Sequence, residues 1–356
     1  MSFVGSSNYA AEHSWESILE SPEYFLHSIN PRENTLEFVR TSRELISGTS
    51  FLDGRNDLSL NAQPVSLSMS DALQWSNHIR PGSEPNRFIF HMSFCGSTLV
   101  SRALDLAGKA ICYKEPQVLL QLAELKAANT SLYRDKEQWK ALTTFVLNQF
   151  KQPWRAGESV ILKPSNWLNS MLPQLLEDGG SSKAVYLGLT PMAFLIAVFR
   201  GGGERIQFSY SVLRHLLHSF PEYQRVVAEV EGSEGDSIEQ FARLVLILHA
   251  VQLKAFQRAT IQGGVQESPF FDYQSLLANP LQNLTGIAAE LDLDFTQDEL
   301  QESISNNFSN HSKVNNRSYD ATQASDVDQQ VLNTYRGQFL SALEWASEAL
   351  KPASFH

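Results

Sequence analysis

The chain reads as an α/β fold: a parallel sheet flanked by helices, with a helical layer and an N-terminal extension. Two patterns carry that reading. From residue 87 onward short apolar runs alternate with helical stretches, the order that builds parallel strands covered on both faces. From 207 to 262 the pattern is helical throughout, which sets a helical insertion on that sheet. The run Pro81-Gly82-Ser83-Glu84-Pro85 is the best boundary signal. The expected organisation is an extension over 1–85, packed on an α/β domain over 86–356. At 356 residues the chain exceeds the size at which one hydrophobic core stops growing, so an extra layer is expected.

The elements follow in order. In the extension, Phe51-Leu52-Asp53-Gly54-Arg55 reads as a strand end entering a turn, and Asp71 to His78 as a short helix. Arg87 to His91 is a short apolar strand, followed by a helix over Thr98 to Ala107. Ala110 to Tyr113 is a second strand, with a helix after Pro116, a residue suited to a first helical turn. Ser159 to Leu162 and Lys183 to Leu187 are the third and fourth strands, with helices around Leu168 to Leu176 and from Pro191. Asp236 with Glu239 marks a helix start, and Ile238, Phe241, Val245, Leu248, Val251 and Phe256 form its apolar stripe. Phe270 to Tyr273 reads as a further strand. Asn306 to Gln329, polar and rich in Asn and Ser, reads as a loop before an amphipathic C-terminal helix over Leu332 to Leu350.

Charge excludes some function classes. The 28 basic and 39 acidic side chains leave a net charge of −11, which speaks against a broad nucleic-acid surface built on Lys and Arg. It leaves room for one small anion in a local pocket. The two cysteines, Cys95 and Cys112, make no disulfide framework, and a reduced, cytoplasmic setting is the plain expectation. The most apolar stretch, Ala184 to Phe199, is broken by Gly188, Thr190 and Pro191 and is too short to span a membrane. It reads as a buried strand, a turn and a buried helix. His215, His218 and His249 lack Cys or acidic partners at ligand spacing, so no metal is expected.

The strongest local signal runs from Arg87 to Leu104. A strand ends at His91, the small-residue segment Ser93-Phe94-Cys95-Gly96-Ser97-Thr98 follows, and a helix begins. This order aims backbone N–H groups at one anion. Gly96 lets the backbone come close, and Ser97 and Thr98 add hydroxyl donors. An ordinary strand–turn–helix junction with a Ser/Thr cap has the same appearance. A Walker loop needs an earlier Gly and a Lys before the Ser/Thr, both missing here. A phosphatase-type thiolate loop needs Arg six residues after Cys95; that place is Ser101, and the Arg is Arg102.

At this point the sequence resembles the sulfotransferases that use 3′-phosphoadenosine 5′-phosphosulfate (PAPS). The matching stretches are Phe94-Cys95-Gly96-Ser97-Thr98, Ser159-Val-Ile-Leu-Lys-Pro-Ser-Asn166, Lys183-Ala-Val-Tyr-Leu-Gly-Leu-Thr-Pro191 and Phe271-Asp-Tyr-Gln-Ser-Leu-Leu-Ala-Asn-Pro280, together spanning about 88 to 320. The resemblance implies a P-loop NTPase-like fold of the sulfotransferase type and transfer of a sulfuryl group from PAPS to a hydroxyl or amine. In that family the first stretch holds the 5′-phosphosulfate. The departures are four: Phe94 stands where the family has a cationic residue, Ser165 where it often has a catalytic His, and Leu189 and Ala197 where it has the Arg and Ser of the 3′-phosphate site. Lys163 survives, and the resemblance makes it the group that stabilises charge on the bridging oxygen.

Each remaining candidate has two readings. Lys163 is a cleft cation or an edge lysine at the surface. His91 and Glu115 are candidate bases for the acceptor proton; the alternatives are a structural His and a carboxylate facing a helix dipole. Arg200 and Arg205 flank Gly201-Gly202-Gly203 and either bring a guanidinium to phosphate or belong to a flexible helix-terminal loop. Lys313, in His311-Ser-Lys313, matches the family's late cationic loop or is solvated. The expected partner is a small-molecule acceptor, with no nucleic acid and no membrane. Two other functions compete: a non-catalytic nucleotide-binding or interaction module, in which no added cation reaches the Gly96 loop, and a kinase. A kinase needs acidic Mg²⁺ ligands, and Asp105 is expected inside a helix.

Overall fold

The computed structural model describes residues 15–60, 63–76, 84–177, 182–262, 269–308 and 321–350. Its strands are β1 (Tyr24–Asn30), β2 (Thr35–Arg40), β3 (Val65–Ser68), β4 (Arg87–His91), β5 (Ala110–Lys114), β6 (Ser159–Lys163), β7 (Lys183–Gly188) and β8 (Phe270–Asp272). The helices up to residue 176 are α1 (Trp15–Leu19), α2 (Arg43–Gly48), α3 (Met69–Ser76), α4 (Ser97–Ala103), α5 (Gln117–Ala127), α6 (Ser131–Arg134), α7 (Lys136–Gln149) and α8 (Leu172–Leu175). Beyond it come α9 (Pro191–Phe199), α10 (Gly202–Leu216), α11 (Gln224–Glu231), α12 (Ser237–Gln262), α13 (Tyr273–Ala278), α14 (Pro280–Glu290), α15 (Gln297–Asn307) and α16 (Ala321–Ala349). A five-stranded parallel sheet runs in the order β5-β6-β4-β7-β8 and is flanked by helices. The α/β expectation is met.

Contacts divide the chain into two compact units: Met1–Asn86 with Asp105–Leu162, and Arg87–Leu104 with Lys163–His356. The first unit holds a feature absent from the sequence reading, an antiparallel sheet β1-β2-β3. The β1–β2 turn passes through Asn34 in the left-handed region at φ 56°. β1 shifts register against β2 between Leu26 and Ser28, and its buried residues come in adjacent pairs in place of strict alternation. Phe25 lies between Tyr113 and Phe150, each 5.8 Å away between ring centres. The segment around Leu52 is not a strand. It bonds to the end of β5, its N–H donating to Lys114 O at 2.7 Å and its carbonyl accepting from Gln117 N–H at 2.9 Å.

Four buried charges lock this unit. Arg43 Nε donates to Glu158 Oε1 at 2.8 Å, and its Nη2 lies 3.4 Å from Asp105 Oδ1 and 3.0 Å from Ala110 O. Lys114 Nζ donates to Asp105 Oδ2 at 3.1 Å and to Ser47 O at 3.0 Å. Asp105 therefore stands outside α4, not within a helix as expected, and is consumed by two cations.

In the second unit β4 and β7 pair in parallel from Arg87↔Lys183 to His91↔Leu187, and β7 pairs with β8 from Tyr186↔Phe270 to Gly188↔Asp272. Phe88, Phe90, Tyr186 and Phe256 stack in sequence at centroid distances of 5.0, 5.8 and 4.7 Å. Several boundaries differ from the sequence reading. α4 stops at Ala103. The stretch after β6 is a 3₁₀ turn, Asn166–Ser170, and then the single turn α8. Phe241, placed on the apolar stripe of α12, is exposed. The loop expected over Asn306–Gln329 is shorter: Ala321–Gln329 already belongs to α16, and 309–320 lies outside the described residues. α15 was not anticipated, although Thr296 and Glu299 form a full capping box at its start.

Two stability tests follow. Arg43→Met leaves the buried Glu158 without its cation, while Asp105 keeps Lys114; losing one side of a buried pair costs about 3–5 kcal/mol, so the urea midpoint should fall strongly. His249, buried on α12, donates from Nε2 to Leu189 O at 2.8 Å. Burial holds its imidazole below the ordinary 6.5, and the bond to Leu189 offsets this only in part. Below pH 6.5 the unfolded chain therefore binds a proton that the folded protein refuses, and stability rises with pH. The contribution is complete above that pH and is lost on acidification. His27 is held low by burial too, so the decisive quantity is the difference between wild type and His249→Gln. The variant should lose less stability between pH 7 and about 5.

Candidate functional site

The loop after β4 turns on two left-handed residues, Phe94 at φ 63° and Gly96 at φ 75°. Gly96 is the N-cap of α4, and no side chain caps that end. Between them Cys95 turns inward, its thiol donating to Met92 O at 3.2 Å. Burial pushes the Cys95 thiol up to about 11, against the opposing pull of the Ser97 N–H and of the Lys163 charge. At neutral pH the group is a protonated thiol, not the thiolate that nucleophilic chemistry needs. Ser97 and Thr98 are both buried.

Lys163 is 0% exposed at the end of β6, which removes the reading of it as a surface lysine. Its effect on Cys95 places the ammonium within electrostatic range of the loop. His91 is buried, and its Nδ1 donates to Met92 O at 2.8 Å. Glu115 lies in the first unit, half-buried, in the left-handed region at φ 58°, and its charge acts on Arg55. Lys313 lies outside the described residues.

Arg200 and Arg205 part company. Arg200 pairs with Asp328 at 3.0 Å. Arg205 folds back across Gly201, where a Cβ would stand 2.1 Å from its Cδ. Its guanidinium lies 4.5 Å over the Phe94 ring, and Nη1 donates to Ala197 O at 2.6 Å. The glycines are therefore not a flexible loop: Gly201 caps α10, Gly202 and Gly203 open it, and Gly201 clears the path of Arg205. Leu189 and Ala197, two of the altered positions, contribute carbonyls instead, to His249 and Arg205. Ser165 is buried ahead of the 3₁₀ turn.

Several residues at the loop escaped the sequence reading. Asn166 Nδ2 donates to Ser93 Oγ at 2.7 Å, and Asn169 Nδ2 to His91 O at 3.2 Å and Gln252 Oε1 at 3.4 Å. Residues three apart eclipse in a 3₁₀ helix, so Asn166-x-x-Asn169 carried a signal once that helix type was known. Tyr273, first residue of α13, covers Gly96: a Cβ there would stand 2.2 Å from Tyr273 Cε2. Phe208 on α10 packs edge to face on Phe94 at 5.9 Å and on Trp167 at 6.2 Å, and Trp167 packs on His215 at 5.1 Å.

No family model matches the chain, and no curated protein matches its sequence. Among solved structures it is similar to the sulfotransferase domain from the curacin biosynthetic pathway, at 15% identity over 71% of this chain and 98% of that one, with a TM-score of 0.39. It is also similar to sulfotransferase STF9 from Mycobacterium avium, at 11% identity over 75% of this chain and 81% of that one, with a TM-score of 0.37. Among the described residues no group of three or more His, Cys, Asp or Glu is placed to hold a metal ion, and no helix is long and apolar enough to cross a membrane.

The sequence explains Gly96 by ligand approach; the structure adds a left-handed backbone and a covering ring. Gly96→Ala should cost about 1–2 kcal/mol from the backbone alone, with a further loss from displacing Tyr273. In urea titrations, Tyr273→Ala combined with Gly96→Ala should recover the second part only. Equal stability of Gly96→Ala and wild type would mean that the left-handed turn is not the folded conformation.

Proposed function

We propose that the loop Ser93–Thr98 binds the 5′-phosphosulfate of PAPS and that the protein transfers its sulfuryl group to a hydroxyl or amine acceptor. One observation carries this reading: a cation from another helix, Arg205, stacks on Phe94 inside a loop that has no basic residue of its own. The sequence-level contrast was between such a cation and none; its presence favours anion chemistry over a passive module. Burial and the Arg200 charge both pull the Arg205 guanidinium down, with Asp328 acting the other way; a bound anion would favour its charged form.

The residues fit the group. Lys163 and Arg205 supply two positive charges to a phosphosulfate, and Phe94 orients the guanidinium through its ring face. In the transfer, the acceptor atom forms a bond to sulfur as the sulfur–oxygen bond to the 5′-phosphate breaks. The products are the sulfated acceptor, 3′,5′-adenosine bisphosphate and the acceptor proton. Negative charge grows on the departing phosphate oxygen, where Lys163 is proposed to act by electrostatic stabilisation. His91, in the same unit as the loop, is the proposed base for the proton.

Calorimetric titration with 3′,5′-adenosine bisphosphate, followed by assay with radiolabelled PAPS, tests the proposal. Lys163→Met, close in shape, and Arg205→Ala should each weaken nucleotide binding or slow turnover by about ten- to hundredfold, the loss of one charge-assisted contact. Arg205→Lys should recover little, because a point charge lacks the planar stack. Absence of binding at millimolar nucleotide sinks the reading; binding without turnover leaves a nucleotide-binding module.

A further inference from the structure

The 3₁₀ turn Asn166–Ser170 grips the end of β4 and the start of its loop. Asn166 Nδ2 donates to Ser93 Oγ at 2.7 Å, and Asn169 Nδ2 donates to His91 O at 3.2 Å. Residues three apart eclipse in a 3₁₀ helix, so both amides leave the turn on one side. Asn166, Asn169 and Ser93 are all buried. Gln252, fully buried on α12, braces Asn169 by accepting at Oε1 over 3.4 Å. The turn comes directly after Lys163-Pro164-Ser165. The segment that ends β6 with a cation therefore also fastens the loop.

The direction of the Ser93 bond decides what its hydroxyl offers. A serine hydroxyl has one proton to give and two lone pairs to receive. An amide nitrogen only donates, so Asn166 takes a lone pair of Ser93 and leaves the proton. The preceding carbonyl does not take it. Met92 O already accepts from His91 Nδ1 at 2.8 Å and from the Cys95 thiol at 3.2 Å, which uses both of its lone pairs. Among the described residues Ser93 Oγ makes no hydrogen bond besides that from Asn166. A buried donor left without an acceptor is costly. We propose that the Ser93 hydroxyl donates to the anion held by the loop, and that Asn166 is the positioning residue that fixes it as a donor. The inference rests on the sulfuryl-transfer reading of the loop and adds to it one donor and the residue that aims it. An oxyanion presents only lone pairs, so a hydroxyl locked as a donor suits it, whereas a freely turning one presents its own lone pairs as readily.

The test is a double-mutant cycle on the whole chain, read by calorimetry with 3′,5′-adenosine bisphosphate and with inorganic phosphate as the bare anion. Ser93→Ala should weaken binding by about ten- to hundredfold, the loss of one hydrogen bond to a charged group. Ser93→Thr keeps the hydroxyl and should bind nearly as wild type does. Asn166→Leu, close in shape, should lose about tenfold. Combined with Ser93→Ala it should lose nothing more, because Asn166 acts only through that hydroxyl, whereas independent contributions multiply. Thermal melting checks each fold, and Asn166→Ala replaces the leucine variant if that one does not fold. Wild-type affinity in Ser93→Ala, or losses that multiply in the double variant, overturns this inference and leaves the sulfuryl-transfer reading standing. If wild type binds phosphate but no nucleotide, the sulfuryl-transfer reading alone falls, and the cycle is decided with phosphate. Binding of neither overturns both.

Discussion

The loop after β4 depends on holding Phe94 in a left-handed backbone. For a residue with a Cβ this conformation costs about 1–2 kcal/mol, and it persists only where surrounding contacts over-determine it. Those contacts are all present. The ring is fixed by Phe208 and Arg205, Cys95 is bonded inward to Met92, and Asn166 holds Ser93. Relaxing Phe94 would undo more than a turn. It would withdraw the surface on which Arg205 rests and so remove the loop's cation. Cys95, the next residue, bonds its thiol inward to Met92 O and is kept protonated by burial.

Such a loop could be recognised in sequence because its parts are local. A five-residue apolar strand, small residues and a helix start lie within about twenty positions, and strand-end Lys163 follows from the same strand logic. What gives the loop its chemistry is not local. Phe94 alone reads as the loss of a cation. Only the fold shows that α10 returns one, and that Gly201 makes space for it. Tyr273 over Gly96 and Gln252 beneath Asn169 are contacts between distant segments, which no spacing rule reports.

Errors in the element reading have equally specific causes. In β1 the adjacent Phe25 and Leu26, on opposite faces, are both buried, so the strand lacks the alternation by which a half-buried strand is recognised. Near the start of α16, Asp326, Val327, Gln329 and Gln330 are exposed, and without a buried apolar stripe that turn of chain is indistinguishable from a loop. Leu104 and Leu106 continue the apolar pattern of α4 past its true end at Ala103. The chain leaves the helix there to deliver Asp105 to Arg43 and Lys114.

That last network contrasts with the setting of Arg205. In the first unit Arg43 and Lys114 are buried beside Asp105 and Glu158, and each charge meets an opposite one. A set so closed fixes structure and has little field left for a ligand. Arg205 is held differently: by a carbonyl oxygen and an aromatic face, neutral partners that orient a guanidinium without cancelling its charge. Its neighbour Arg200 took the carboxylate, Asp328, instead. A cation oriented by neutral contacts, partly desolvated and set beside a loop proposed to bind an anion, is what electrostatic preorganisation requires. The difference in partners separates the arginine that serves the fold from the one proposed to serve the reaction.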